Sequence, residues 1–179
     1  MGRTGYEAAQ VVVNELKLPI SVEEYIDEVT IEYDKVFNDV QMMPGAERLV
    51  KHLYNHKIPI AIATSSKRAT FELKTRNLKH IFNLFDHILV ASDDPEITRG
   101  KPDPQTFLVA ANRFTIKPQD NSYVLVFEDS PMGVQAAMSA GMQCVWVPDP
   151  KIDKSIANPT LTLSSLEQFK PELFDLPPF

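Results

Sequence analysis

Two hydrophobic rhythms divide the chain. In its first third, apolar residues recur at helical spacing. The run YEAAQVVVNELKL keeps that spacing and stops before Pro19. SVEEYIDEVTIEYDKVF opens on Ser21, a candidate N-cap, with Glu24 three residues later, the pattern of a capping box. PGAERLVKHLYNHK begins at Pro44 and sets Ala46, Leu49, Val50 and Leu53 on one face. From about residue 57 the rhythm changes. IPIAIA, HILVAS, YVLVF and QCVWV read as strands. KRATFELKTRNLKHIF, PQTFLVAANRF and MGVQAAMSA lie between them and read as helices, the last closing at Gly141. TLTLSS and LEQFK predict a short final strand and a turn, and FDLPPF predicts a tail packed on the surface.

The apolar runs are continuous rather than alternating, which is the mark of parallel strands covered on both faces. Strand and helix in alternation predict an α/β doubly wound sheet. The expected organisation is therefore a helical lobe over 1–56 and an α/β sheet domain over 57–179. Ligands of such sheets gather at the carboxyl ends of the strands, so the residues that follow each run carry the candidate chemistry.

Thr64, Ser65 and Ser66 follow the first run. Asp93 and Asp94 follow the second, and GKPDP follows them at 100–104. Glu128 and Asp129 follow the third. Each group has an ordinary structural reading. The hydroxyls could cap the next helix, and Lys101 could be a solvated loop charge. Asp129 could cap the helix before Ser130 and Pro131, and Asp93-Asp94 could be a polar turn. Taken together they suit a phosphate ester. Hydroxyls and backbone N–H groups hold one oxygen, and a lysine braced by Pro102 and Pro104 neutralises another. A carboxylate pair holds a hard divalent cation such as Mg²⁺.

Composition narrows the field. The chain has 179 residues, 44% of them hydrophobic, enough for a real core. A formal charge of −6 lacks the basic footprint of a nucleic-acid binder, and no apolar run reaches the ~20 residues of a membrane helix. Cys144, the one cysteine, lies in a strand-like run and reads as a small core hydrophobe, in keeping with a reducing, cytoplasmic setting. His52, His56, His80 and His87 have no neighbours in a zinc pattern.

In order and spacing, IAIATSS, GKPDP and VFEDSPMGVQAA resemble the second, third and fourth motifs of the haloacid dehalogenase-like (HAD) phosphatases. At closer range MPGAERLVKHL, AGMQCVWVPDP and FKPELFDLP resemble the pseudouridine-5′-phosphatase group. The resemblance implies a HAD-like Rossmann-type sheet whose first 56 residues are part of an α-helical cap. It implies a Mg²⁺-dependent hydrolase of a small phosphorylated metabolite, such as a nucleoside 5′-monophosphate, that works through an aspartyl-phosphate. A sugar-phosphate phosphatase or mutase of the same superfamily is the alternative. By position, Thr64 and Ser65 bind phosphate, Lys101 pairs with nucleophile and phosphate, and Asp129 and Glu128 hold the metal. Ser66, Lys67 and Arg68 lie near phosphate or substrate, and Gly2 and Arg3 match a substrate-facing cap loop. The complete protein is expected to be a monomer.

The family's first motif, an apolar strand ending in Asp-x-Asp, has no counterpart in these 179 residues. That strand is central in the family, between the strands that end near Ala63 and Phe127. The expectation is a sheet without its first strand, a chain that is inactive alone and prone to aggregate, and, as a second reading, a non-catalytic isoform with a binding role.

Overall fold

The computed structural model describes residues 5–179, apart from the side chains of Gly5, Asp34 and Asn38. Gly2 and Arg3 therefore lie outside the described residues.

Helices α1 (Gly5–Glu15) and α2 (Val22–Val36) form an antiparallel hairpin ahead of the sheet. Ser21 is the N-cap of α2. Its side chain accepts the Glu24 N–H, and the Glu24 carboxylate accepts the Ser21 N–H, so two orphan donors are met reciprocally. The helix α3 (Ala46–Asn55) follows.

The sheet comes in two pieces. Strand β1 (Ala61–Thr64) pairs in parallel with β2 (His87–Val90). Strand β3 (Leu125–Glu128) pairs in parallel with β4 (Gln143–Trp146), and β4 with β5 (Leu161–Thr162). Among the described residues no strand joins β1 to β3. The expected long helix over 67–82 is instead two, α4 (Arg68–Thr75) and α5 (Lys79–Phe82). Helices α6 (Gln105–Asn112) and α7 (Pro131–Ser139) complete the alternation. Gly141, at φ +73°, takes the left-handed turn that closes α7.

Two apolar layers hold the half-sheets together where the backbone ladder does not. On one face Phe107 and Ala111 of α6, and Val134, Ala136 and Ala137 of α7, pack with Val126, Cys144 and Trp146, and Ala63 joins them from β1. On the other face Leu49 and Leu53 of α3 pack with Val145, Val147 and Phe169, joined by Ile58 and Ile60 from one half and Leu125 and Phe127 from the other. So α3, grouped with the helical lobe by sequence, carries its apolar face into the core of the sheet. The tail packs down as the sequence suggested. Phe174 and Leu176 join this second layer, and Phe179 lies against His52 and Arg48.

Burial records the split. Both β1 and β3 are mostly half-buried, whereas three of the four residues of β4 are fully buried. Cys144 is completely buried, and that desolvation pushes its thiol up to about 12, so it is an inert core residue. No helix among the described residues is long and apolar enough to cross a membrane.

Leu53→Ala is expected to lower stability by about 2–4 kcal/mol, because it opens a cavity under the half-sheet. Urea denaturation reads this, and a cost below about 1 kcal/mol would show that α3 is not part of that core.

Candidate functional site

The carboxyl ends of β1 and β3 open into one cleft of about 790 Å³, roofed by the α1–α2 hairpin. Thr64, Ser65, Ser66, Lys67, Lys101, Glu128 and Asp129 all line it. Seven of the ten residues singled out in the sequence thus share one cavity. Arg68 does not line it: its guanidinium pairs with Asp93 at 2.8 Å. Asp94 takes the forked guanidinium of Arg113, so the Asp93-Asp94 turn is committed to holding its own loop.

Lys101 is the centre of the site. Its side chain is 7% exposed, and its Nζ donates to the Ala63 carbonyl at 3.1 Å and to Glu128 Oε1 at 2.5 Å. Phe107 places its ring centroid 4.3 Å from the same ammonium. An ammonium has three N–H donors, so one remains for an anion in the cleft. The Lys101–Pro102 peptide is cis.

Glu128 is fully engaged. Besides Lys101, its other oxygen accepts from the Ser130 hydroxyl at 3.0 Å and the Ser130 N–H at 3.2 Å. Its carboxylate folds over Gly133, where a Cβ would collide with it. Glycine is needed there to make room for a side chain, since its φ is ordinary. Ser130, rather than Asp129, caps α7 by accepting the Gly133 N–H at 3.0 Å.

Asp129 stays in the cleft, and Trp146 Nε1 anchors its backbone carbonyl at 3.0 Å. Burial first, and the charge of Glu128 second, raise its carboxyl above the usual range; Lys101 offsets this only in part. Its charged form therefore lacks compensation, which is what a cation would supply. Among the described residues no group of three His, Cys, Asp or Glu stands close enough to hold a metal. The described chain offers a metal one free carboxylate, and Mg²⁺ needs six oxygens.

At the end of β1, Thr64 Oγ1 accepts the Ser66 N–H at 3.1 Å, which leaves its own O–H to donate. Ser65 Oγ is buried with no partner, a donor in want of an acceptor. Sequence reading passed over several lining residues. Tyr25, Val29 and Tyr33 of α2 recur every four residues on the cleft side, and Lys74 joins them from α4. The i, i+4 spacing was visible, but nothing in the sequence says which face of a hairpin looks at the sheet.

Comparison with known proteins comes out on the same side as this geometry. The chain is 46% identical over 180 residues to a protein of Drosophila melanogaster named probable pseudouridine-5′-phosphatase, covering 100% of this chain and 78% of that protein. It is 45% identical over 184 residues to (DL)-glycerol-3-phosphatase 2 of Arabidopsis thaliana, covering 100% of this chain and 75% of that one. The crystal structure of β-phosphoglucomutase from Clostridium difficile superposes with a TM-score of 0.74 at 24% identity, over 97% of this chain and 76% of the other. Residues 2–147 match the haloacid dehalogenase-like hydrolases, and the chain belongs to that family of enzymes.

Proposed function

We propose that the cleft is the phosphate- and metal-binding half of a Mg²⁺-dependent phosphomonoesterase for small phosphorylated metabolites. The observation that carries this is Lys101. It is a buried ammonium fixed between two strand ends, with one N–H left over, beside the unpartnered Ser65 hydroxyl and a carboxylate short of a cation. The substrate in this reading is a nucleoside 5′-monophosphate such as pseudouridine 5′-phosphate, the class named by the Drosophila relative. The equally similar glycerol-3-phosphatase makes a small polyol phosphate the alternative.

The roles follow from the contacts. Lys101 neutralises a phosphoryl oxygen. Thr64 and Ser65 donate their hydroxyls to the same group, and the Ser65 N–H assists. Asp129 contributes one ligand to the cation, whose chemistry is to spread the phosphoryl charge. Glu128 positions Lys101 instead of binding metal, because both of its oxygens are in use. Ser66 and Lys67 sit at the rim. In this reading the lobe that meets substrate is the α1–α2 hairpin, and the sheet domain includes α3. The compartment is cytoplasmic and the active form a monomer.

Glu128 and Asp129 are the only carboxylates that line the cleft among the described residues. One holds the lysine and the other suits a cation, so neither attacks phosphorus. The chain of 179 residues is therefore proposed to turn over nothing by itself.

The test compares two proteins, the 179-residue chain and the same chain extended upstream by a strand ending in Asp-x-Asp. With Mg²⁺, the extended protein is expected to release phosphate from pseudouridine 5′-phosphate, and the chain alone is not. Lys101→Ala and Asp129→Asn should each lower kcat/KM of the extended protein by about 10²–10³, the scale for losing one fixed electrostatic contact. Full activity of either variant would overturn these assignments.

A second expectation concerns stability. The Asp129 carboxyl has its folded pKa raised, so the ionised form present at neutral pH opposes folding, and that cost disappears as pH falls below the folded value. Asp129→Asn removes the charge and should raise the thermal midpoint of the metal-free chain at pH 7, with a smaller gain at pH 4. A lower midpoint at both pH values would mean that the carboxylate is structurally satisfied.

A further inference from the structure

Between β2 and α6 the chain crosses open surface before it reaches Lys101. Every residue of 92–100 except Asp94 and Ile97 is exposed, and a Cβ built at Gly100 would meet nothing. Such a backbone keeps one conformation only if specific contacts offset its ordering entropy. Yet it leads into a lysine whose side chain is 7% exposed.

One side chain supplies much of the fixing. Gln105 is the first residue of α6. Its Oε1 accepts the N–H groups of Thr98 and Arg99, at 2.9 Å each, and the Thr98 hydroxyl at 3.2 Å. Its Nε2 donates to the Glu96 carbonyl at 2.8 Å. The place calls for an amide, because a carboxylate could not donate to Glu96 and an ammonium could not accept from Thr98 and Arg99.

These contacts converge on Lys101. The Asp103 N–H bonds the Gly100 carbonyl at 3.1 Å and closes a turn around the lysine. The Asp103 carboxylate accepts the Gln105 N–H at 3.0 Å and pairs with the Arg99 guanidinium at 3.1 Å. Arg99 and Gln105, the two sides of the stem from which Lys101 projects, are thus bonded to each other. Phe107, two residues beyond Gln105, sets its ring against the ammonium itself. After the last turn of α6, Arg113 takes Asp94 and Glu96. The loop is therefore held from both ends of that helix.

We propose that Gln105 is a positioning residue: it fixes the loop that carries Lys101, and through it the place of the ammonium between Ala63 O and Glu128. The inference rests on the phosphate-binding role given to Lys101 above. Gln105 does not line the cleft, so it does not act on substrate directly. Its effect passes through the lysine, where a displacement of about 1 Å can cost about 10²-fold in rate.

The test reads Lys101 itself. Gln105→Met keeps the length of the side chain and removes its four hydrogen bonds. Gln143→Met is the control, since Gln143 also bonds a backbone carbonyl, that of Ser122, at the amino end of β4. Acetylation by a water-soluble active ester is followed at each lysine by mass spectrometry, in the 179-residue chain and in the extended protein alike. Lys101 is expected to react at least about tenfold faster in Gln105→Met, the scale of losing two net hydrogen bonds. Lys67 and Lys74 should keep their rates, and Gln143→Met should change none of the three. In the extended protein, kcat/KM for pseudouridine 5′-phosphate should fall about tenfold or more in Gln105→Met and hold in Gln143→Met. An unchanged Lys101 rate overturns the proposal. Equal acceleration at all lysines does so too, because it reports a general loosening of the fold, and so does a faster Lys101 with kcat/KM unaltered. Should Gln105→Met fail to fold, Gln105→Asn, one methylene shorter, is judged by the same outcomes. Lys101→Ala separates this inference from the functional reading. Full activity there overturns the phosphate-binding role, and the acetylation rates still decide whether Gln105 sets the lysine.

Discussion

An ammonium is costly to bury unless its protons find acceptors. At Lys101 those acceptors come from opposite halves of the sheet: a backbone carbonyl at the end of β1 and a carboxylate at the end of β3. This one cation ties together strand ends that have no ladder between them, and it sets the polarity of the cleft. Much of the neighbouring geometry follows from it. Glu128 must lean toward the lysine, Gly133 must leave room for that lean, and Ser130 must hold the second oxygen while starting α7.

The same arrangement separates two acids that look alike in sequence. Glu128 and Asp129 are adjacent and both line the cleft, yet their contacts differ. Glu128 is spent on a cation from its own chain. Asp129 stays in the cleft with its charge short of compensation. One carboxylate is held by contacts within the chain, and the other is left facing the cleft.

Much of this was legible in the sequence. Continuous apolar runs fixed the parallel strands, Ser21 and Glu24 fixed the start of α2, and the residues after three runs named most of the cleft. Other features were not legible, for physical reasons. Arg68 stands in the right stretch, but on a helical turn it meets Asp93 first. Glu128 could not be read as a lysine partner, because Lys101 lies 27 residues away and only the fold closes that loop. The assignment of α3 depended on which surface its leucines met, and an amphipathic pattern shows a face without saying what it covers. The break at 76–78, which splits one predicted helix into α4 and α5, carries neither glycine nor proline to announce it.

The divided sheet gives the molecule a mechanical axis. An unbroken twisted sheet resists bending across its strands because every hydrogen bond in the ladder would stretch. Among the described residues no ladder crosses the line between β1 and β3, and side chains couple the two halves there: α6 and α7 on one face, α3 on the other, and the lysine at the rim. Packed side chains slide and repack at lower cost than backbone ladders break. Bending about that line stretches no backbone ladder among the described residues. The cleft lies at the carboxyl end of that line, so any rotation of one half against the other would change the spacing between Thr64 on one side and Glu128 and Asp129 on the other.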